Sequence, residues 1–254
     1  VRDCRFLDNE MGLLTGNDPR AVLEIERSEF AHNRRPGRYT HQLYVGAIAR
    51  LSVTGSYFHH GQSGHLLKSR AAVNHVFYNR LTDEAGGTSS YELEFPNGGR
   101  AYVIGNIVQQ GAATENRVVV AYGAEGYRWT RNALVLGHNT LDDGSSLGGQ
   151  YLRVWPGTEV DISLVNNVLA GSGDRAGFDP RDGNVAVGTD AFAAADRHDY
   201  RLRDLPELEG RVVDLGVGAG QSFRPTYEYR HPLKTEALAH PATRPGALQS
   251  PAEP

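Results

Sequence analysis

Short runs of apolar residues, separated by polar turn residues, recur along the first two thirds of the chain. Each run has a small or polar residue, then any residue, then a bulky apolar one, with first positions 24, 28, 23, 27, 33 and 28 residues apart. The runs are Cys4-Arg5-Phe6, Ser28-Glu29-Phe30, Ser56-Tyr57-Phe58, Asn79-Arg80-Leu81, Asn106-Ile107-Val108, Asn139-Thr140-Leu141 and Asn167-Val168-Leu169. This region lacks the 3.6-residue period of helices. The pattern therefore predicts short strands in a repeated unit.

A second apolar strand follows in each unit about half a period later, as in Gln42-Leu43-Tyr44-Val45 and Glu92-Leu93-Glu94-Phe95. Two or three short strands in a mid-twenties repeat make one coil of a parallel β-solenoid, with neighbouring coils ~4.8 Å apart. Leucine-rich repeats need helical segments, and propellers need repeats nearer 40–50 residues. We predict an all-β solenoid of about seven coils over residues 1–170. Residues 171–254 are predicted to form an irregular C-terminal cap and an extended tail that packs on it.

Stacking assigns roles to the repeated residues. The bulky third residue of each run should form the apolar core. The leading Asn and Ser residues should hydrogen-bond to their counterparts in the coils above and below, as a ladder that satisfies backbone groups.

Charge and composition reduce the number of possible functions. The formal net charge is −4, which argues against a general nucleic-acid binder. Cys4 is the only cysteine, so an internal disulfide is excluded. No apolar run approaches the ~20 residues needed to cross a bilayer, so we expect no membrane span. The chain starts at Val1 in a strand-like run, and we interpret it as a processed form without its signal peptide and first coils.

Candidate chemistry lies in the second strands of the middle coils. Aligning these strands on Leu43, Leu66 and Leu93 places His65 beside Glu92, and Leu67 beside Glu94. The titratable or aromatic residues in and around these strands are His41, Tyr44, His65, Lys68, Arg70, Tyr91, Glu92, Glu94, Arg100 and Tyr122. Together they would offer an acid, a base and charge neutralisers within reach of one another.

Lys68 and Arg70 are either a surface pair or a catalytic pair. In the catalytic case neighbouring cations would lower the pKa of Lys68, so that it could act as a general base. Arginines beside it would neutralise a sugar carboxylate and acidify its α-proton.

Strand alternation would place Glu92 and Glu94 on one face. Such a pair could bind Ca²⁺, supply an acid and a base for glycoside hydrolysis, or form salt bridges to Lys68 or Arg70.

His59, His60 and His65 invite comparison with a zinc site. However, adjacent histidines on a strand should point to opposite faces, so we expect no metal site. His65 is better placed as a proton carrier.

The Asn-headed repeats, and above all Leu66-Leu67-Lys68-Ser69-Arg70 followed by Asn74 and Asn79, resemble secreted right-handed parallel β-helix proteins of the pectate-lyase-like superfamily. Within it the segment resembles the chondroitinase-B and alginate-lyase branch. That resemblance implies a right-handed coil, an exported bacterial protein that is secreted or periplasmic, and Lys68 as the base of β-elimination. Where the branch has calcium-binding glutamates, this chain has Gly61, Ser63 and Gly64, so we expect no cofactor.

Three functions follow as hypotheses. The first is a lyase of an acidic polysaccharide, with Lys68 as base, His65 or Tyr91 assisting proton transfer, and Arg70 and Arg100 binding carboxylates. The second is a non-catalytic solenoid that binds a glycan or a protein. The third is a glycoside hydrolase that uses Glu92 and Glu94.

Overall fold

A computed structural model describes residues 1–145, 147–203, 206–214, 216–218 and 221–250. Over these ranges the chain winds through three parallel sheets, and it forms the right-handed parallel β-helix that the repeat and the resemblance indicated. Sheet 1 contains β1 (Arg5–Leu7), β4 (Glu29–Ala31), β7 (Tyr57–His59), β10 (Arg80–Thr82), β13 (Ile107–Gln110), β16 (Thr140–Asp143), β19 (Val168–Gly171) and β20 (Val185–Val187).

Each coil continues from sheet 1 into sheet 2 and then sheet 3. Sheet 2 contains β2 (Leu13–Leu14), β5 (Leu43–Val45), β8 (Leu67–Ser69), β11 (Leu93–Phe95), β14 (Val118–Tyr122) and β17 (Gln150–Val154). Sheet 3 contains β3 (Val22–Glu26), β6 (Arg50–Thr54), β9 (Val73–Phe77), β12 (Arg100–Ile104), β15 (Asn132–Gly137) and β18 (Val160–Val165).

The seven repeat heads stack in the predicted register in sheet 1. Their third residues are paired in the order Phe6, Phe30, Phe58, Leu81, Val108, Leu141 and Leu169. The ring centroids of Phe6 and Phe30, and of Phe30 and Phe58, are 4.7 Å apart. This column runs through the apolar core that the three sheets enclose.

The asparagine ladder is confirmed. The side-chain oxygen of Asn106 accepts from the backbone N–H of Asn79 at 2.9 Å and from its side chain at 3.1 Å. Asn106 in turn donates to Asn139, and its side chain also donates to the carbonyl of Val76 at 2.8 Å. The ladder reaches Asn184, which heads β20 and extends the repeat beyond the predicted limit at residue 170.

The register of sheet 2 corrects the sequence alignment by one residue in two coils. Leu67, not Leu66, pairs with Leu43 and Leu93, so Lys68 lies between Tyr44 and Glu94. Both Leu66 and Leu67 are fully buried, so hydrophobicity alone did not identify the pairing residue. The alignment is also wrong by one residue at β14, where Val120 rather than Val119 pairs with Leu93.

The C-terminal part is largely irregular. Its strands are β21 (Phe192–Ala194), β22 (Asp199–Leu202), β23 (Val217–Gly218), β24 (Gln221–Ser222), β25 (Tyr227–Arg230) and β26 (Lys234–Ala237). The helices in the described part are 3-10 turns of three residues at Pro180–Asp182, Thr189–Ala191, Ala195–Arg197 and Pro206–Leu208, and none could cross a membrane.

The sequence predicts a short helix at residues 191–196, and it predicts that residues 199–202 and 212–216 form a pair of strands. The structure corrects both, because Phe192–Ala194 is a strand between two 3-10 turns, and β22 pairs with β21. Leu215 lies outside the described residues.

This segment covers the outer faces of sheets 1 and 3. Tyr200 and Tyr229 pack with Ile107 and Val168 of sheet 1 in a second apolar cluster. Phe223 stacks on Tyr102 of sheet 3 with ring centroids 5.2 Å apart. The polar outer face of sheet 2 is described next.

Replacing Asn106 by Ala should lower the free energy of unfolding by roughly 2–5 kcal/mol, because each buried polar group that it leaves unpaired costs about 1–3 kcal/mol. The groups concerned are the backbone N–H of Asn79 and the carbonyl of Val76. Urea denaturation measures the loss. Asn17→Ala is the control: exposed Asn17 accepts from the backbone of Ala47 at 2.7 Å, where water can replace it. Equal losses in the two variants would contradict a structural ladder.

Candidate functional site

The outward column of sheet 2 carries the candidate chemistry. Tyr44, Lys68 and Glu94 occupy one position in three successive coils, with neighbouring coils in register. Ala121 and Arg153 continue the column. Lys68 is 8% exposed and Glu94 is 2% exposed, so neighbouring side chains enclose both charges.

Two carboxylates hold the ammonium group of Lys68. Its Nζ lies 2.8 Å from Oε2 of Glu94 and 2.8 Å from Oε1 of Glu125. Burial alone would lower the pKa of Lys68, but the charges and hydrogen bonds of Glu94 and Glu125 outweigh burial and raise it. The expectation that neighbouring cations lower this pKa is therefore wrong, and Lys68 is a charged ammonium at neutral pH.

Arg70 places a second positive charge beside Lys68. Its Nε donates to the hydroxyl of Tyr44 at 2.7 Å, and its guanidinium donates to Asn97 Oδ1 at 2.8 Å. The guanidinium also donates to both oxygens of Glu125, with 2.9 Å to Oε1. These bonds from Arg70, helped by Lys68, lower the pKa of Glu125 to about 2. Sequence reasoning identified Arg70 and Tyr44 but missed Asn97 and Glu125.

Glu125 is carried on a turn rather than on a strand. Gly123 and Gly126 flank it, each with φ of +82°, a conformation that glycine adopts without strain. Its side chain is 40% exposed, whereas that of Lys68 is 10% exposed. Glu125 is thus the most accessible charged member of the cluster.

A column of aromatic rings runs beside the charges. His41 and His65 have ring centroids 4.7 Å apart, and His65 and Tyr91 have centroids 4.9 Å apart. His41 Nδ1 accepts from the backbone N–H of His65, and His65 Nδ1 accepts from that of Tyr91. In the neutral rings the proton is therefore on Nε2. His65 Nε2 lies 3.0 Å from Glu94 Oε2, so the neutral ring places its N–H beside this carboxylate.

His41 is held in its neutral form. Burial, together with the positive charges of His65, Lys68 and Arg70, lowers its pKa to about 3. Its role at neutral pH is therefore stacking and hydrogen bonding, not charge.

Glu92 does not belong to this surface, which corrects the expectation that it shares a face with Glu94. It precedes β11, is fully buried, and accepts from Gln110 Nε2 at 3.0 Å. Burial, with a contribution from Asp83, raises its pKa well above the ordinary value. Strand alternation failed because the chain is still turning at Glu92.

Two further predicted ligand-binding residues lie elsewhere. Tyr122 faces the core, is fully buried, and donates its hydroxyl hydrogen to the carbonyl of Gly99. Arg100 begins β12 in sheet 3, paired with Val73 and Ala133. Neither is positioned to join Lys68 and Arg70, because the turn at residues 96–99 carries the chain into a different sheet.

The adjacent histidines also depart from expectation. His59 and His60 were predicted to point to opposite faces, yet their Nδ1 atoms are 2.6 Å apart. The reason is the left-handed backbone of His60, with φ of +49°, which ends the strand and turns its ring towards His59. His32, from the preceding coil, joins them.

The cluster on sheet 2 has balanced charge, with Lys68 and Arg70 opposing Glu94 and Glu125. The closely placed cations suit recognition of a carboxylate, and the rings beside them suit a planar or sugar-like surface.

Comparison of the chain with family models, with curated proteins and with solved structures finds no match in any of the three. Its function must therefore be argued from this geometry.

Replacing Glu92 by Gln should remove a pH-dependent cost of folding. Because the pKa of Glu92 is raised in the folded protein, the folded state binds more protons than the unfolded state above pH 4.5, and wild-type stability falls as pH rises from there. The variant should gain on the wild type by up to about 1.4 kcal/mol per pH unit in that window. Denaturation at several pH values measures the gain.

The control for this series is Glu115→Gln, at an exposed carboxylate. A stability difference between Glu92→Gln and wild type that stays constant from pH 5 to 8 would show that Glu92 is not held protonated.

Proposed function

We propose that the outer face of sheet 2 binds an acidic, uronate-containing glycan and that β-elimination is the reaction this site supports best. The supporting observation is the position of the Glu125 carboxylate, which accepts from Lys68 and from the guanidinium of Arg70. A uronate presents the same group to the same donors. Because Glu125 is on an exposed turn, it can exchange with a ligand carboxylate while Lys68 and Arg70 stay in place.

A basic groove beside the cluster supports an acidic polymer. Arg34, Arg35 and Arg38 line it, together with Gln62, Ser63 and one acidic residue, Glu115. These turns lead to His41 and His65, which precede β5 and β8. Further acidic units of a bound chain could therefore contact the arginines.

Aromatic rings supply the apolar part of the proposed binding site. Tyr44 and Tyr91 are half-buried, and both flank the charged column. Sugar rings expose C–H groups on one face, and these pack on aromatic surfaces, whereas their hydroxyls need polar partners such as the hydroxyl of half-buried Tyr91.

The proposed reaction assigns Lys68 to charge neutralisation rather than to proton abstraction. In β-elimination the proton next to the carboxylate is removed, the bond to the glycosidic oxygen on the following carbon breaks, and a conjugated double bond forms. Lys68 and Arg70 would stabilise the charge that develops on the carboxylate. Glu94, whose Oε2 lies 3.0 Å from His65 Nε2, would accept the proton. Tyr91, whose pKa is raised by burial and by the charge of Glu94, would donate a proton to the leaving oxygen.

Non-catalytic binding of an acidic glycan is the second candidate, and one observation favours it. Burial opposes the charged form of Lys68, Arg70 and Glu94, but their partners shift each pKa away from neutrality. The pKa of Glu125 is also shifted away from neutrality, because Arg70 and Lys68 lower it. A general base works best with a pKa near the working pH. A fully paired cluster suits reversible recognition without turnover.

If the site is a lyase, an acidic glycan should give a rise in absorbance near ~235 nm, and Lys68→Ala and Arg70→Ala should each reduce the rate by about 100-fold or more. Alginate, pectate, glycosaminoglycans and glucuronan form the substrate panel. Arg50→Ala, which removes an exposed arginine of sheet 3, should leave the rate unchanged.

Lys68→Arg separates the two roles of Lys68. It keeps the positive charge, so it should retain part of the activity if Lys68 neutralises the carboxylate and none if Lys68 is the base. A flat absorbance trace from folded wild-type protein across the whole panel would count against catalysis.

If Glu125 competes with a ligand carboxylate, Glu125→Ala should tighten binding of an oligouronate by about tenfold, or 1.4 kcal/mol. Arg70→Ala should weaken binding. Calorimetric titration measures both, with a neutral oligosaccharide of equal length and Glu207→Ala, at an exposed carboxylate of the C-terminal part, as controls. Weaker or unchanged binding by Glu125→Ala would contradict the proposed exchange, whether or not the protein is an enzyme.

A further inference from the structure

A second cluster of side chains lies outside the sheet 2 site, at the end of strands β4 and β7 in sheet 1. His32 and His60 follow these strands in adjacent coils and both have left-handed backbones, with φ of +57° and +49°. Their ring centroids are 4.5 Å apart. One ring nitrogen from each of His32, His59 and His60 lies within 4.8 Å of the other two.

The Nδ1 atoms of His59 and His60 lie 2.6 Å apart, close enough to share either a proton or a metal ion. Two imidazole nitrogens at 2.6 Å repel each other when both carry lone pairs. A hydrogen-bond acceptor on the far side of each ring holds the ring proton there and leaves the lone pair on Nδ1. His59 Nε2 lies 3.2 Å from the Glu29 carboxylate, and a backbone hydrogen bond from the His60 ring goes to Ala85. Because His60 Nδ1 faces His59, we assign the Ala85 bond to His60 Nε2.

We propose that His32, His59 and His60 bind a divalent first-row transition-metal ion such as Zn²⁺, with a fourth position open to water. Neutral imidazole is a ligand that Zn²⁺, Cu²⁺ and Ni²⁺ share, and three protein ligands with an open position form a common zinc arrangement. The site opens to solvent because His32 is exposed.

The surroundings suit metal ligation. A carboxylate that accepts from the far side of a ligating histidine fixes its tautomer and raises its basicity, which is the position of Glu29 behind His59. Tyr57 stacks on His59 with ring centroids 4.0 Å apart and fixes the plane of the ring.

The movement that an ion requires is small. Tetrahedral zinc with bonds of about 2.0–2.1 Å separates its nitrogen ligands by about 3.3 Å. The two Nδ1 atoms, now 2.6 Å apart, must open by about 0.7 Å, and the His32 nitrogen, which lies within 4.8 Å of the other two, must close by up to about 1.5 Å. His60 is only partly buried, and it follows the strand rather than belonging to it, so its ring can rotate without disturbing sheet 1.

The test is titration of the full, tag-free chain, after treatment with a chelator, with Zn²⁺ in a calorimeter and with Co²⁺ in a spectrophotometer. We expect one ion per chain and visible Co²⁺ bands typical of nitrogen ligands in a four-coordinate site. His60→Gln and His32→Gln should each weaken binding by about tenfold or more. Exposed His32 should tolerate replacement without loss of fold. His240→Gln, at another exposed histidine, should bind like the wild type.

Three outcomes would overturn the proposal. One is the absence of saturable binding of Zn²⁺, Co²⁺, Ni²⁺ or Cu²⁺. Another is unchanged affinity in both His32→Gln and His60→Gln. The third is binding that survives these variants but is lost in His198→Gln, which would place the ion at the stacked pair His198 and His231 instead. The result does not depend on glycan activity, so it fails or succeeds independently of the proposed function.

Discussion

The fold depends on one constraint: each side chain of a coil lies directly over its counterparts in the neighbouring coils, at about the 4.8 Å spacing of paired strands. Inside the helix, like stacks on like, as Phe6, Phe30 and Phe58 do. The asparagines impose the same register at the turn, because each side chain donates and accepts across two coils. A slip by one residue would break both columns, so the register is fixed independently of the polar outer faces.

The same constraint shapes the chemistry on sheet 2. Stacked like charges repel, so a column of charged residues in a β-helix is more stable when opposite charges or rings alternate along it. Tyr44, Lys68 and Glu94 follow this rule in successive coils. The rigid strands therefore fix Lys68 and Glu94, and Arg70 lies one residue beyond β8. Glu125 differs because a glycine-flanked turn carries it. The cluster thus combines fixed cations with one more accessible carboxylate, which is the arrangement that an exchange with a ligand carboxylate requires.

The sequence was sufficient to predict the repeat, the head register and the ladder because these rest on residues that recur at the same place in every coil. It was insufficient where neighbouring positions are alike. Leu66 and Leu67 are both fully buried, so only backbone pairing distinguishes them. Glu125 and Asn97 were not predicted because they lie on turns of later coils that bring them to Lys68 and Arg70. Turns do not show the periodic pattern of apolar and polar residues that identifies strands. Glu92 was misplaced because strand alternation was applied where the chain bends, and Arg100 was misplaced because a turn carries it into sheet 3. The lyase and the acidic glycan remain proposals, since none of these patterns tests them.

Residues with a left-handed backbone explain why the sequence pattern did not predict the histidine cluster. Alternation along an extended strand separates His59 from His60, but a positive φ at His60 reverses that separation. The turn after His60 leads to His65 of the sheet 2 site, and it has little freedom. A Cβ at Gly61 would lie 2.2 Å from Ser89 Oγ, and one at Gly64 would lie 1.6 Å from the carbonyl oxygen of Thr40. Because the coils on either side clamp this turn, the two histidine clusters are joined by a short, closely packed segment.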